Sequence, residues 1–194
     1  MGDQLRFLLE FIRRPQNTGA VAPSSEALAG EIVRDIGIDE AELVVEYGPG
    51  TGAFTGRILH HLSADAELIA IENNDRMLDE LRARHPGVEV VHDSIANAPQ
   101  ILEARGYDPG SVDSIVSGLP WAAFHDDLQD RLLNATLEIL EPGGHFATFA
   151  YIHGLALPAG RRFRGKLEAK FSAVERSRIV WRNLPPAFVY RCTA

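Results

Sequence analysis

One cysteine, Cys192, in 194 residues leaves no partner for an internal disulfide, and thiolate-rich zinc sites are excluded with it. Seven histidines are present, but His60 and His61 are adjacent and point apart on a helix, so metal binding has no support in the spacing. Apolar runs of the roughly 20 residues that span a bilayer are missing, and the opening MGDQLRFLLEFIRRP lacks a signal-peptide cleavage site. A cytoplasmic location is expected. Repeats, low-complexity tracts and linkers are also missing. The length suits one domain with a sizeable core, expected to cover residues 1–194. An excess of positive charge is lacking too: the net charge is −8, which argues against a generic nucleic-acid binder held by phosphate contacts. That average hides an asymmetry. From Arg161 onward nine basic residues face only Glu168 and Glu175, and a basic end on an acidic protein suits an anionic partner such as a phosphate backbone or an anionic membrane surface.

The order of elements is informative. Leu5, Leu8, Leu9 and Ile12 recur at helical spacing over residues 3–13, with Pro15 ending the helix. With Arg6, Arg13 and Arg14 beside that apolar face, the helix either lies in a membrane interface or packs as a lid. A turn-rich stretch leads to a helix from about residue 26 to 35, capped by Ser24 or Ser25. Four strand candidates follow, ELVVEYG, ELIAIEN, VEVVHD and VDSIVSG, each succeeded by a helical stretch, at 53–62, 74–84, 96–105 and 125–140. Pro142–Gly143–Gly144 predicts a turn into HFATFAYIHG, and two further extended runs, FSAVERSRIVW and AFVYRCTA, close the chain. The expected fold is α/β: a mostly parallel sheet with helices on both faces and an antiparallel C-terminal edge.

In open sheets of this kind ligands sit beyond the carboxyl ends of the strands. The first such end carries Gly48, Gly50 and Gly52 ahead of a helix, with Glu46 preceding the loop; glycines let a ligand approach the backbone and a helix start offers free N–H groups. The spacing is not the dinucleotide fingerprint, because the third glycine follows the second by two residues rather than three. At the second end Glu72 is placed to accept both hydroxyls of a ribose. At the third, Asp93 is placed to accept from an adenine amino group, N-capping being its competing role. The fourth is Ser117–Gly118–Leu119–Pro120–Trp121, a rigid turn just past a strand.

Together, Glu-Tyr-Gly-Pro-Gly-Thr-Gly (46–52), Glu72, Asp93-Ser94 and Ser-Gly-Leu-Pro-Trp (117–121) resemble a class I S-adenosylmethionine-dependent methyltransferase over roughly residues 40–150. Two groups within that superfamily look similar. The rRNA adenine dimethyltransferases usually read Asn-Leu-Pro-Tyr at the fourth turn, where this chain has Gly118 and Trp121, and they usually carry a separate C-terminal helical domain. The bacterial phospholipid N-methyltransferases are similar across NTGAVAPSSEALA, SGLPWAAF, FAYIHGLALPAGRRFR and VWRNLPPAFVYR, nearly the whole chain.

The resemblance implies a seven-stranded Rossmann-like fold and S-adenosylmethionine as cofactor, with no metal. It divides the chain into an N-terminal helix and lid-like loop (1–25), a cofactor-binding core (40–150), and a substrate-side loop with C-terminal strands (151–194). Thr18 and Gly19 are implied lid contacts. Glu46, Tyr47, Gly48, Gly50 and Gly52 are implied for the methionine part, Glu72 and Asn73 for the ribose, Asp93 and Ser94 for the adenine, and Gly118, Leu119 and Pro120 for the turn beside the transferred methyl. Trp121 is expected to form an aromatic wall beside the acceptor amine, with core packing the competing role. Tyr151 and His153 are the candidates for the base, a structural histidine being the competing role for His153. Arg161, Arg162 and Arg164 are candidates for a lipid phosphate, surface solvation being the alternative. The implied reaction methylates phosphatidylethanolamine at the inner face of the membrane, towards phosphatidylcholine, by a peripherally bound enzyme; the alternative is an rRNA adenine-N6 methyltransferase.

Overall fold

A computed structural model describes residues 24–194. The expected helix at 3–13 and the lid contacts Thr18 and Gly19 lie outside the described residues. Strands and helices alternate: α1 (Glu26–Ile32), β1 (Leu43–Tyr47), α2 (Thr55–His61), β2 (Glu67–Glu72), α3 (Asp75–Arg84), β3 (Glu89–His92), α4 (Ala98–Glu103), β4 (Val112–Ser117), α5 (Asp126–Ile139), β5 (Leu140–Tyr151), α6 (Pro158–Lys170), β6 (Ala173–Arg176) and β7 (Ala187–Thr193). The strands form one seven-stranded sheet in the order β3-β2-β1-β4-β5-β7-β6. The first five run parallel, while β7 is antiparallel to both β5 and β6. The expected architecture, antiparallel edge included, is therefore present.

Burial follows position in the sheet. All five residues of the interior strand β1, Leu-Val-Val-Glu-Tyr, are buried, whereas the edge strand β3 is partly exposed. On one face Leu28 and Ile32 of α1 and Ile58 of α2 pack with Val44 and Val189; on the other Leu102, Leu133, Phe163 and Leu167 of α4, α5 and α6 pack with Ile115 and Phe146. Parallel connections that cross alternate faces leave all four carboxyl ends of β1 to β4 along one rim.

Two expectations are corrected. Residues 158–170, expected as a substrate-side loop, form helix α6: Pro158 stands in its first turn, where no amide donor is needed, and Phe163 and Leu167, one turn apart, are its buried face. The pair of glycines at 160 and 165 masked the helical pattern. The Pro142–Gly144 turn is instead part of β5, whose register with β4 shifts between Val112 and Ser114.

The basic C-terminal stretch is also less free than its composition suggests. Arg162 meets Asp126, Arg164 meets Glu168, Lys166 meets Asp130, and Arg178 and Arg191 both meet Glu31. Glu31 is the deepest of these acids. One carboxylate oxygen accepts from Arg191 Nη2 at 2.9 Å and the other from Arg178 Nε at 3.1 Å, while Arg191 Nε reaches the Arg34 carbonyl at 2.7 Å. This clasp fastens α1 to β7 across the chain. Removing one partner of a buried pair strands the other, so Glu31→Ala is expected to cost about 3–5 kcal/mol, read as a lower urea midpoint. Arg178→Ala, at an exposed side chain, is expected to move it by less than about 1 kcal/mol.

Candidate active site

The rim is closed by backbone before any side chain contributes. Gly48 N donates to the Ile71 carbonyl at 3.0 Å and Gly118 N to the Tyr47 carbonyl at 2.8 Å, so the turns after β1, β2 and β4 are joined. A Cβ on Gly118 would stand 2.6 Å from the Gly48 carbonyl oxygen. Only glycine allows that approach. Leu119 then lies over Gly48, and Gly50, at φ +58° with open space where a Cβ would point, offers bare backbone to a ligand.

The acids occupy three levels of this rim. Glu72 accepts from Gly50 N at 3.2 Å through Oε2 and from Asn73 N and Asn74 N, both at 2.9 Å, through Oε1. It thus fixes the glycine loop to the end of β2, while Asn74 supplies the cap of α3. Asp93 Oδ1 accepts from Ser94 N at 2.6 Å and Asn97 Nδ2 at 2.8 Å, and Ser94 Oγ caps the short helical turn that follows. Both residues therefore shape the turn after β3, and Asp93 Oδ2 stays uncommitted among the described residues.

Glu46 lies beneath the loop and is wholly buried. Burial raises its carboxyl to about 8; the Thr55 hydroxyl, donating at 2.7 Å, opposes the shift and the nearby Glu72 charge adds to it. Its Oε1 has no hydrogen-bond partner. An orphaned carboxylate oxygen under a glycine loop fits a ligand that brings a cationic group, as the ammonium of S-adenosylmethionine would. Glu72 beside the loop fits a ribose, and Asp93 fits an adenine amino group.

Three sequence assignments change. Trp121, expected as a wall beside the amine, is 1% exposed. Its ring stacks on Phe163 at 5.5 Å, its edge meets Phe146, and Nε1 donates to Ser117 Oγ at 2.8 Å. The indole anchors the Leu119–Pro120 turn from behind, because the polar N–H had a buried partner waiting and the rest of the ring was apolar. Tyr47 is buried in the same core, so it offers the rim its backbone alone; burial pushes its phenol upward. Arg162 turns to Asp126 at 3.5 Å, away from its neighbours.

Other assignments are brought together. Tyr151 and His153 stack at 5.5 Å, nearly parallel, at the carboxyl end of β5, on the sheet face opposite Trp121. Burial raises the Tyr151 phenol, so it keeps its proton at neutral pH, while the His153 ring is exposed. Where the segment after β5 meets α6 and β6, a cavity of about 270 Å³ is lined by Leu155, Gly160, Arg161, Arg164 and Arg176. Arg176 was not anticipated, since only the pairing of β6 with β7 carries it back to α6. Thr55, which reaches Glu46 from α2, and His85, whose ring packs against Gly52 and Gly56, were missed because no local pattern marks those contacts.

Comparison with known proteins accords with this geometry. Residues 44–144 match the methyltransferase domain family. An O-methyltransferase from Bacillus cereus, solved with S-adenosylhomocysteine, superposes with a TM-score of 0.66 at 16% identity, covering 100% of this chain and 92% of that one. The chain belongs to the class I S-adenosylmethionine-dependent methyltransferases. Within them it stands near the lipid N-methyltransferases: it is 32% identical to ornithine lipid N-methyltransferase of Singulisphaera acidiphila over 99% of this chain and 96% of that protein. A ribosomal RNA small subunit methyltransferase A from Shouchella clausii is 30% identical, over 48% of this chain and 32% of its own length.

Two outcomes test the site. Gly118→Ala forces the β1 and β4 turns apart and is expected to cost about 1–3 kcal/mol together with at least a tenfold loss of S-adenosylmethionine affinity by calorimetry. Glu46 titrates near 4.5 when unfolded and near 8 when folded, so the native state holds a proton that the unfolded state has released. Wild-type stability should therefore fall as pH rises between those values, and Glu46→Gln should flatten that part of the melting-temperature profile.

Proposed function

We propose that this chain transfers a methyl group from S-adenosylmethionine to the primary amine of a polar lipid, phosphatidylethanolamine in the first instance, towards phosphatidylcholine. The observation that carries this reading is the end-to-end likeness to an ornithine lipid N-methyltransferase, against a partial likeness to the rRNA enzyme. Gly118, packed on the Gly48 carbonyl, further speaks against the asparagine-bearing turn of adenine dimethyltransferases.

The chemistry follows from the rim. S-adenosylmethionine, when bound, supplies a methyl on a sulfonium, and the displacement is in line. What the chain must do is hold the acceptor close, aligned and dry. The Leu119–Pro120 turn, fixed from behind by Trp121 and by its own carbonyls accepting from Trp121 N and Ala123 N, forms a rigid wall beside the amine. A lipid amine has a pKa near that of lysine, about 10, and must shed a proton before attacking. His153 takes that proton; Tyr151, kept protonated by burial, positions the imidazole by stacking. Arg161 and Arg176, which have no carboxylate partner among the described residues, hold the acidic group next to the amine, a phosphate in phosphatidylethanolamine or a carboxylate in ornithine lipid, since a guanidinium fork suits either, while Arg164, paired with Glu168, completes the cavity wall. Among the described residues no helix is long and apolar enough to cross a membrane, and a peripheral enzyme acting at the lipid surface needs none.

The test is transfer of labelled methyl to vesicles of phosphatidylethanolamine with phosphatidylglycerol, to vesicles of ornithine lipid, and to under-methylated ribosomal RNA. Label in a lipid fraction is expected. Label in RNA alone would overturn the reading. In the productive assay His153→Ala should lower kcat by 10²-fold or more and shift its pH dependence, Tyr151→Phe should act weakly, and Arg161→Gln with Arg176→Gln should raise KM at little change in kcat.

A further inference from the structure

We infer that the turn Ser177–Pro186, between β6 and β7, is a wedge that seats the enzyme on an anionic lipid interface. The choice of a lipid surface rests on the lipid-amine reading above. The turn alternates inward and outward with unusual contrast. Val180 and Asn183 are buried at 8% and 5% exposure, while Trp181 and Leu184, each the next residue, are 69% and 73% exposed and Ile179 is 39% exposed.

That display is built into the fold. Val180 N donates to the Ala187 carbonyl at 2.7 Å, Ser177 exchanges hydrogen bonds with Val189, and Asn183 accepts from Ser25 N at 3.0 Å while donating to the Pro185 carbonyl at 2.7 Å. A turn pinned on its inner side has no freedom to fold its tryptophan away. Large apolar side chains held out on a fixed turn are costly in water, and an indole is the side chain best suited to the headgroup zone of a bilayer.

Charge selects which bilayer. The turn contains Arg178 and Arg182 and no acid, and Arg176 precedes it. Arg178 spends its charge on Glu31, and Arg57 near Arg182 faces the exposed Glu26 at 3.9 Å, which leaves Arg176 and Arg182 without a carboxylate partner among the described residues. Arginines around an exposed apolar tip complement an anionic leaflet. Position agrees: Tyr151 pairs with Ala187, and Ile152 N donates to the Pro186 carbonyl at 3.1 Å, so the turn emerges beside Tyr151 and His153. Seating Trp181 at headgroup depth brings the exposed His153 ring to the layer where lipid amines lie.

The chain has two tryptophans, and Trp121 is buried, so Trp181 reports on its own surroundings. With the full chain, acrylamide should quench Trp181 in solution. Vesicles of phosphatidylethanolamine and phosphatidylglycerol should shift its emission to the blue, and brominated lipid should quench it. Trp181→Ala with Leu184→Ser should lower vesicle affinity and vesicle-based kcat/KM at least tenfold, leave the far-ultraviolet dichroism unchanged, and spare methylation of short-chain phosphatidylethanolamine dispersed as monomers. Wild-type sedimentation by that variant, or vesicle binding without quenching of Trp181, would overturn the wedge. So would protection of Trp181 before lipid is added, whether by the N-terminal segment of this chain or, if it grows with protein concentration, by a second copy. Bromolipid quenching with no methylation of vesicle or monomeric lipid would leave the wedge standing and remove the lipid-amine reading.

Discussion

The site depends on one contact between two backbones. The turns after β1 and β4 meet with the Gly118 amide on the Tyr47 carbonyl, and the Gly48 carbonyl fills the space a side chain at 118 would need. Because the strands are neighbours in the sheet, this closeness sets the height of the glycine loop, which in turn lets Glu72 bond the Gly50 amide and lets Leu119 cover Gly48. Trp121 serves that junction from below: an indole sealed between Phe163 and Phe146 and tied to Ser117 is a rigid post, and the Leu119–Pro120 turn stands on it.

Electrostatics adds a second constraint. Glu46 is stored in a place where its charge is disfavoured, with a single hydroxyl for company and another carboxylate nearby. Such a group costs stability when ionised without a partner, and a cation brought to the loop above it would relieve that cost. Elsewhere the chain neutralises its charges locally. Five of the nine C-terminal basic residues that looked like one surface are consumed by Glu31, Asp126, Asp130 and Glu168; of the four left over, Lys170 bonds Asn134, Arg161 and Arg176 line one cavity, and Arg182 lies in the β6–β7 turn.

Much of this was legible before any coordinates. Alternating strand and helix patterns specify a parallel sheet, a parallel sheet puts ligands at its carboxyl ends, and the four motifs all fall there, so Glu46, Gly48, Gly50, Glu72, Asp93 and Gly118 converge as their order in the chain implies. Trp121 went astray because a hydrophobic residue after a strand-ending proline looks solvent-facing when the covering element, α6, is itself hidden by Gly160 and Gly165. Arg162 and Arg164 are near neighbours in sequence, yet a helix sends them to different acids, Asp126 and Glu168.

The sequence by itself determined the fold class and the gathering of Glu46, Glu72, Asp93 and the glycine turns at the carboxyl ends of neighbouring strands, because hydrophobic periodicity and glycine placement are local properties and the topology of a parallel sheet turns them into positions. Only the tertiary structure decided which arginines remain free, that Trp121 is a post while Trp181 is displayed, that Arg176 joins Arg161, and that Glu46 keeps an unpaired oxygen. Those outcomes depend on contacts between residues distant in the chain, β6 against β7, α6 against the sheet and α1 against Arg191, and no local pattern encodes which side chain such a contact buries.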